Sequence, residues 1–226
     1  MPIESNTMDD IEKYGLQINQ IYNQDCLEGL KKIKDESIDA IITDPPYGIN
    51  KGKILNDESL DVWISTLEDS YRVLKDNSFY MLFASIAKIP EVCNYMQKAG
   101  FVYRWQTLLY IKNGMVRGSV GFSVYYPCLI FMKGQAKIKK PLRDIMEVST
   151  SSKEMKQRIH PYQKDKNFIA KLLNSFSKED NVVLDPFMGS GTTAISCIMT
   201  KRNYIGFEID EDYYQGSLER LAKESK

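Results

Sequence analysis

The sequence has little of what several classes of protein require. Its single histidine and four scattered cysteines contain no Cys-x-x-Cys pair and no zinc-site spacing, so no metal site is expected. Basic and acidic residues balance at 30 each, which excludes a polycation that coats nucleic acid indiscriminately. The start lacks a signal-peptide pattern, and no apolar run is long enough to cross a membrane. We therefore expect a cytoplasmic protein without a membrane partner.

What is present indicates a single α/β domain over residues 1–226. A chain of 226 residues with 43% hydrophobic content can form one sizeable core. Apolar strands alternate with amphipathic helical stretches, including one helix expected over Leu60–Leu74. This pattern is typical of a doubly wound, mostly parallel sheet covered by helices on both faces. Seven strands are predicted, near Leu16–Tyr22, Ile38–Thr43, Ser78–Ala84, Phe101–Ile111, Ser123–Met132, Asn181–Asp185 and Tyr204–Glu208.

A glycine-rich turn follows the sixth predicted strand, in the segment NVVLDPFMGSGTTAISC. The strand ends at Asp185, and a helix is expected to begin near Thr192 or Thr193, whose side chains can cap it. Gly189 and Gly191 let the backbone approach a ligand closely. The N–H groups at the helix start suit a carboxylate or a phosphate. The segment therefore predicts a ligand-binding turn.

The seventh predicted strand ends in Glu208, whose carboxylate can accept hydrogen bonds from both hydroxyls of a ribose. The ligand is therefore expected to be a nucleoside derivative. Gly189-x-Gly191-x-x-Ala194 also fits a dinucleotide fingerprint, but Asp185-Pro186-Phe187 separates the strand from the glycines. No lysine follows the second glycine, which excludes a Walker A loop. S-adenosylmethionine is the better candidate, and a plain strand-to-helix turn is the alternative without a ligand.

The second predicted strand ends in Thr-Asp-Pro-Pro-Tyr, residues 43–47. Both strand ends should face one crevice, because ligands bind outside the carboxyl ends of such a sheet. The prolines remove two backbone donors and leave the strand-end carbonyls as acceptors beside the Asp44 carboxylate. This cluster suits an exocyclic amino group held by Asp44 and the Pro45 carbonyl, while Tyr47 offers a ring for a planar base. A base in a duplex must be flipped out to reach it.

These two motifs resemble those of the adenine-N6 and cytosine-N4 DNA amino-methyltransferases, in the class whose catalytic motif precedes the cofactor motif. The resemblance extends from about Ile21 to Leu221 and implies a Rossmann-like S-adenosylmethionine-dependent methyltransferase fold. It implies as catalytic residues Asp44, Pro45, Pro46 and Tyr47. It implies as cofactor-binding residues Asp25, Cys26, Asp44, Lys164, Asp185, Pro186, Phe187, Gly189, Ser190, Gly191, Thr192, Thr193 and Glu208.

Some of these positions have a second interpretation. Asp25, in YNQDCLEGL, can equally be a helix N-cap. The segment HPYQKDKNFIAKLL resembles one that helps the family to hold the methionine moiety, but Tyr162 and Asp165 replace its usual threonine and proline. Lys164 is carried over from that segment. For His160 a structural role is favoured over that of a general base.

The resemblance implies direct methyl transfer to the exocyclic N6 amine of adenine in a specific DNA sequence, after base flipping. Adenine is favoured because the cytosine-N4 members more often carry serine where Asp44 stands. Cytosine-N4 methylation of DNA and adenine-N6 methylation of RNA are the alternatives. Asp44 is expected to orient the amine and stabilise its charge first, and to act as a base second. A dehydrogenase would not need Asp-Pro-Pro-Tyr, and a non-catalytic DNA-binding subunit would lose motif residues.

The stretch from Lys112 to Arg158 holds ten basic and three acidic residues, a net charge of +7. It lies where the family places its target-recognition segment, here residues 133–160, although a solvated surface is the alternative. Double-stranded DNA is the expected partner. Because the segment is small, a homodimer or the loop Gly48–Leu55 would enlarge the interface. The resemblance also allows a cognate restriction endonuclease. Phosphate contacts are predicted for Lys137, Lys139, Lys140 and Arg143.

Overall fold

The computed structural model describes residues 7–48, 59–112, 116–117, 121–149 and 163–224. Within these residues eight strands form one sheet and two short strands form a hairpin. In chain order the strands are β1 (Gln20–Asn23), β2 (Ile38–Thr43), β3 (Leu74–Phe83), β4 (Val102–Lys112), β5 (Val116–Arg117), β6 (Phe122–Ser123), β7 (Tyr125–Lys133), β8 (Ile145–Ser149), β9 (Val182–Asp185) and β10 (Asn203–Glu208).

The helices of the described residues lie mainly between consecutive strands of the sheet. No helix in this part of the chain has the length and apolar character needed to span a membrane. A short 3₁₀ turn at Ile86–Lys88 precedes the fifth helix. The α-helices are α1 (Thr7–Tyr14), α2 (Cys26–Leu30), α3 (Asp61–Ser65), α4 (Leu67–Val73), α5 (Ile89–Lys98), α6 (Lys166–Phe176), α7 (Thr192–Met199) and α8 (Glu211–Glu224).

The sheet has the order β1-β10-β9-β2-β3-β7-β4-β8. β7 runs antiparallel to both of its neighbours, and every other pairing in the sheet is parallel. This arrangement confirms the predicted doubly wound, mostly parallel α/β fold. The predicted number of strands is wrong, because the sheet contains eight strands rather than seven.

The strand that the sequence did not predict is β8, at the edge of the sheet. It has five residues and pairs on one side only, with Leu108–Lys112 of β4. Its first residue, Ile145, is 53% exposed, so the strand lacks the continuous apolar run of a buried strand. β8 falls inside the predicted recognition segment 133–160, and this part of the segment therefore belongs to the sheet.

Two predicted elements differ in their bounds. The helix expected over Leu60–Leu74 is divided into α3 and α4 at the buried Thr66, whose hydroxyl donates to the Trp63 carbonyl at 2.6 Å. Such a bond offers the backbone an alternative to a continuous helix. Leu74 already belongs to β3. The first strand begins at Gln20 rather than Leu16, because Asn19 has a φ of 58°, which breaks the extended backbone.

Alternating side chains of the sheet build an apolar core on each face. Along β3, Tyr80 and Leu82 join one cluster, whereas Phe79, Met81 and Phe83 join the other. Helices α3 to α5 cover the first face, and α6 and α7 cover the second. Because the parallel strands share one direction, the residues that end them meet at one edge of the sheet: Asn23, Thr43, Asp185 and Glu208.

Candidate active site

A crevice of about 190 Å³ opens at the edge where β1, β2, β9 and β10 end. Two of its walls are the Asp-Pro-Pro-Tyr turn after β2 and the glycine-rich loop after β9. The structure therefore brings the two predicted motifs together. The predicted site residues that line the crevice are Asp25, Cys26, Asp44, Pro45, Pro46, Tyr47, Lys164, Asp185, Pro186, Phe187, Gly189, Ser190, Thr192, Thr193 and Glu208. Lining residues that the sequence analysis missed include Gln24, Phe83, Gln163, Asp210 and Tyr213.

The Asp44 carboxylate lies between two donors. Oδ1 accepts a hydrogen bond from the Tyr47 hydroxyl, and Oδ2 accepts one from the Lys164 ammonium group. The side chain of Lys164 is 5% exposed, whereas that of Asp44 is 24% exposed. A nearly buried cation thus forms an ion pair with the carboxylate of the predicted catalytic motif. Their separation of 120 positions in the chain concealed this pairing from sequence reasoning.

Three aromatic rings lie near the Lys164 ammonium group. Nζ lies 4.9 Å from the ring centroid of Tyr126, 5.0 Å from that of Phe83 and 5.9 Å from that of Tyr47. The negative faces of aromatic rings attract cations, and the attraction strengthens when water is excluded. The rings therefore offset part of the cost of burying the ammonium group.

Tyr47 contributes its hydroxyl as well as its ring. Burial, the negative charge of Asp44 and the hydrogen bond to that carboxylate raise the pKa of the Tyr47 phenol well above its ordinary value. The phenol is therefore protonated at neutral pH and serves as a donor to Asp44. Sequence reasoning assigned Tyr47 a stacking role alone, and the hydroxyl contact is additional to that role.

Asp185 is a buried carboxylate between the two motifs. It accepts hydrogen bonds from the Thr43 hydroxyl at 2.9 Å, the Thr193 hydroxyl at 2.6 Å and the Phe187 N–H at 3.1 Å. Burial raises its pKa to about 7, although these three hydrogen bonds act to lower it. Thr43 immediately precedes the catalytic motif, so Asp185 connects that motif to the first turn of α7. Its role in this structure is to join the two walls of the crevice.

The glycine-rich loop has a backbone that glycine favours. Gly189 has a φ of 52° and Gly191 a φ of 74°, both in the left-handed region. The Gly189 N–H donates to Glu208 Oε2 at 2.7 Å, and the Asp210 N–H donates to Oε1 at 2.9 Å. Burial raises the pKa of Glu208, while these hydrogen bonds oppose the shift. Glu208 therefore supports the loop directly.

The prediction that a threonine side chain caps α7 is wrong. The helix begins at Thr192, and its N-cap is Gly191, which has no side chain to accept a hydrogen bond. The hydroxyl of Thr193 is directed to Asp185 instead. The hydroxyl of Thr192 accepts from Arg220 Nη1 at 2.8 Å. The Asp185 carboxylate thus binds the Thr193 hydroxyl, and the Arg220 guanidinium binds the Thr192 hydroxyl.

Arg220, on α8, supports the loop from behind and was missed by sequence reasoning. Its Nη1 also donates to the Ser190 carbonyl at 3.0 Å, and the residue is only 8% exposed. A Cβ atom on Gly191 would lie 3.1 Å from the Cβ of Ser217, on the same helix. Helix α8 therefore packs closely against the loop. No motif marks Arg220, and its only sequence signal is its place on the helix that follows β10.

The remaining predicted cofactor residues lie after β1. Asp25 is the N-cap of α2, and its carboxylate accepts from the Leu27 N–H at 2.8 Å, which confirms the capping interpretation. The same residue lines the crevice, so the cap is compatible with a ligand contact. Burial raises the pKa of the Cys26 thiol to about 12, so this cysteine is a protonated thiol rather than a nucleophile.

The predicted DNA-binding lysines lie away from the crevice. β7 runs from the crevice edge at Tyr125 to the opposite edge at Lys133, a distance of about 26 Å at the usual rise per residue. Lys139 N donates to the Ser175 carbonyl, near the end of α6 that is distant from Lys164. The structure therefore does not bring Lys137, Lys139 and Lys140 together with Asp44. Arg143 precedes β8, at the lateral edge of the sheet.

Phosphate binding by these four basic residues stays a prediction, and it would require DNA to extend past the crevice. Three further expectations fall on positions outside the described residues. They concern His160, the greater part of the loop Gly48–Leu55, and residues 150–160 of the recognition segment.

Residues 38–219 match the model of the N6_N4_Mtase family, which is described as DNA methylase. This chain belongs to that family. The match begins at β2, the strand that leads into Asp44, and ends within α8, one residue before Arg220. The methylase is therefore related to its family across both walls of the crevice.

Similar proteins agree with this assignment. Putative methylase YubD of Escherichia coli (strain K12) is 29% identical to this methylase over 206 residues, which cover 88% of each chain. Type II methyltransferase M.HpaI of Haemophilus parainfluenzae is 28% identical over 239 residues, which cover 88% of this chain and 73% of the relative.

Two solved structures share the fold. The complex of M1.HpyAVI with SAM has a TM-score of 0.72 and 28% identity, and covers 89% of this chain and 98% of that chain. The cytosine-N4-specific PvuII DNA methyltransferase has a TM-score of 0.76, and covers 89% of this chain and 86% of its own. Because the PvuII enzyme is only 18% identical, its likeness concerns the fold alone.

S-adenosylmethionine is the methyl donor of this family and the cofactor of this methylase. The residues of the crevice fit it. A Cβ atom on Gly189 would meet no protein atom within 4 Å, so a larger side chain there would extend into open space beside the loop. The carboxylates of Asp25 and Glu208 can accept from the N–H and O–H donors of a nucleoside.

Proposed function

We propose that this methylase transfers a methyl group from S-adenosylmethionine to the N6 amine of adenine in a specific DNA sequence. The target base is flipped out of the duplex into the crevice. One observation carries the proposal: the Asp44 carboxylate and the Tyr47 ring line the same crevice as the glycine-rich loop from Asp185 to Thr193. An acceptor for an amine and a loop for a nucleoside thus lie side by side.

The catalytic motif orients the amine in this proposal. Asp44 and the Pro45 carbonyl accept the two amine hydrogens, which favours the tetrahedral nitrogen whose lone pair is localised. Pro46 keeps the turn rigid because its φ is restricted. Tyr47 provides a ring for stacking of the base. When the amine becomes cationic, the carboxylate of Asp44 stabilises its charge and then accepts the released proton.

The opposite wall holds the cofactor, which supplies a methyl group activated by a positively charged sulfur. Glu208 would accept hydrogen bonds from the ribose hydroxyls, and Asp25 with Cys26 would border the adenine. Phe187, Pro186 and Ser190 belong to the loop that would enclose the nucleoside. The loop residues Gly189 and Gly191, and the N–H groups of Thr192 and Thr193, would lie along the methionine part.

Cytosine-N4 methylation is the second candidate. The family name covers both N6 and N4 methylases, and the PvuII enzyme, which shares the fold, is cytosine-N4-specific. The aspartate at position 44 supports adenine, since the family's cytosine-N4 members more often carry serine there. The family is one of DNA methylases, which supports DNA over RNA as the substrate.

DNA is proposed to approach from the crevice edge of the sheet. The hairpin of β5 and β6 connects β4 to β7 at this edge, and Phe122 in β6 is 66% exposed. An exposed aromatic residue beside a base-binding crevice fits contact with unstacked bases. The similarity to M.HpaI, a type II methyltransferase, supports a role in restriction and modification.

The proposal is tested by transfer of a labelled methyl group to unmethylated DNA, followed by digestion to nucleosides and chromatography. The expected product is N6-methyldeoxyadenosine. Asp44→Ala should lower the turnover at least about 10²-fold, since a preorganised acceptor is lost. The exposed Asp212→Asn is the matched control and should transfer normally. N4-methyldeoxycytidine as the product would assign the second candidate, and near-normal turnover of Asp44→Ala would refute the role of Asp44.

A further inference from the structure

The crevice contains many acids and little basic charge. Among its described lining residues, Lys164 is the single lysine or arginine. The cofactor brings one more anion, the carboxylate of its methionine part, and a carboxylate is bound most strongly by a charged donor. Among the described lining residues, Lys164 is thus the one charged donor available to both Asp44 and the cofactor carboxylate. The carboxylates that line the crevice belong to Asp25, Asp44, Asp185, Glu208 and Asp210.

We propose that Lys164 exchanges its partner: it pairs with Asp44, and the cofactor's carboxylate draws it away, so that cofactor binding prepares Asp44 for the target amine. This inference rests on the proposed role of Asp44 in methyl transfer. It goes beyond that role because it couples the two walls of the crevice through one side chain.

The exchange has an electrostatic consequence for the chemistry. Methyl transfer leaves a positive charge on the amine nitrogen until a proton departs. The charge of Asp44 stabilises this cation, whereas an ammonium group on Oδ2 of the same carboxylate repels it. Burial strengthens both effects, because Lys164 is screened little by water. Moving Lys164 to the cofactor carboxylate restores the full charge of Asp44 to the amine.

The local structure allows the side chain to move while its backbone stays fixed. The next residue, Asp165, is the N-cap of α6, and its carboxylate accepts from the Phe168 N–H at 2.8 Å. Lysine carries its charge on a flexible stem of four carbons. The rings of Phe83 and Tyr126, each about 5 Å from Nζ, attract the ammonium group without a directional hydrogen bond that would fix its position.

The test measures ligand binding by calorimetry on the full chain, without DNA. S-adenosylhomocysteine carries the carboxylate but no sulfonium charge, and 5′-methylthioadenosine lacks the amino-acid part. Asp44→Asn removes the competing anion, so it should tighten S-adenosylhomocysteine binding about five- to tenfold. It should leave 5′-methylthioadenosine binding unchanged. Lys164→Met should weaken binding of S-adenosylhomocysteine alone, and the exposed Lys171→Met is its matched control.

The double variant completes a thermodynamic cycle. Lys164→Met should lower the affinity for S-adenosylhomocysteine by a factor that is about five- to tenfold larger in the Asp44→Asn background than in the wild type. In that background Lys164 is no longer held by Asp44. The exchange is refuted if Asp44→Asn affects both ligands alike, or if Lys164→Met leaves S-adenosylhomocysteine binding unchanged. If Lys164→Met does not fold, the two-ligand comparison on Asp44→Asn decides alone. The proposed function is judged separately, from the methylated nucleoside.

Discussion

The buried carboxylate of Asp185 should make the stability of this methylase depend on pH in a direction opposite to that of most acidic groups. Its pKa is about 7 in the folded protein, compared with about 3.9 for an aspartate in an unfolded chain. The folded state therefore binds the proton more tightly than the unfolded state. Between these two values the free energy of unfolding falls as the pH rises, because the native state must release a proton that the unfolded state has already lost.

The size of the effect follows from the two pKa values. Between pH 5 and pH 8 the contribution of Asp185 to the free energy of unfolding should decrease by roughly 2 to 3 kcal/mol. Asp185→Asn imitates the neutral carboxyl group and can still bond to the Thr43 and Thr193 hydroxyls. The free energy of unfolding of the variant should therefore match that of the wild type at pH 5 and exceed it by roughly 2 to 3 kcal/mol at pH 8. Other titrating groups contribute equally to both proteins and cancel in the difference.

The assay is equilibrium unfolding in urea at several pH values between 5 and 8, with wild type and variant measured side by side. The exposed Asp212→Asn serves as the control for the loss of one surface carboxylate. The free energies of unfolding of Asp185→Asn and the wild type are compared at each pH. If their difference is constant over this range, Asp185 is ionised throughout. The account of a carboxyl group protonated by burial would then be refuted.

Four further predictions concern other parts of the site and the distant basic residues. Tyr47→Phe should keep most of the methyl transfer rate and Tyr47→Ala should lose much more, because stacking contributes about 1–3 kcal/mol per base; equal losses would refute the stacking role. Arg220→Met should weaken S-adenosylhomocysteine binding about tenfold, since hydrogen bonds from a charged group contribute about 1.5–3 kcal/mol, with kcat little changed; unchanged affinity would contradict its positioning role. Gly189→Leu should abolish the rise in melting temperature that saturating cofactor produces in the wild type. Neutralising the four basic residues Lys137, Lys139, Lys140 and Arg143 should flatten the slope of log DNA affinity against log salt, because predicted phosphate contacts are lost; an unchanged slope would show that DNA does not reach them.

The fold was predictable because each buried strand leaves a strong pattern in the sequence. β2 and β9 are short, mostly apolar strands, and an Asp-Pro pair stands at or directly after the end of each. Both motifs could therefore be placed at the same edge of the sheet. β8 could not be predicted by the same reasoning. It is a half-exposed edge strand in a charged segment, and its strand conformation depends on pairing with β4.

The residues of the site were predictable, but their partners were not. Sequence motifs indicated Asp44 and Asp185, yet the ion pair with Lys164 and the hydrogen bond from Thr43 depend on how distant segments pack. The same limit applies to Arg220, which acts on the glycine-rich loop from the last helix. Local patterns indicate which groups are polar, and tertiary structure decides which of them meet.

The carboxylates of the crevice differ in burial and in the donors that bind them, and these differences point to different functions. Burial favours the protonated form of Asp185, while Asp25 and Glu208 accept hydrogen bonds from backbone N–H groups of their own walls. Backbone donors cannot leave without unfolding the turn that carries them. Asp44 alone among these four is paired with the end of a long, flexible side chain, that of Lys164. A carboxylate that changes its partner during a reaction needs such a donor, and this contrast supports the proposal that Asp44 is the acid of the crevice that receives the substrate.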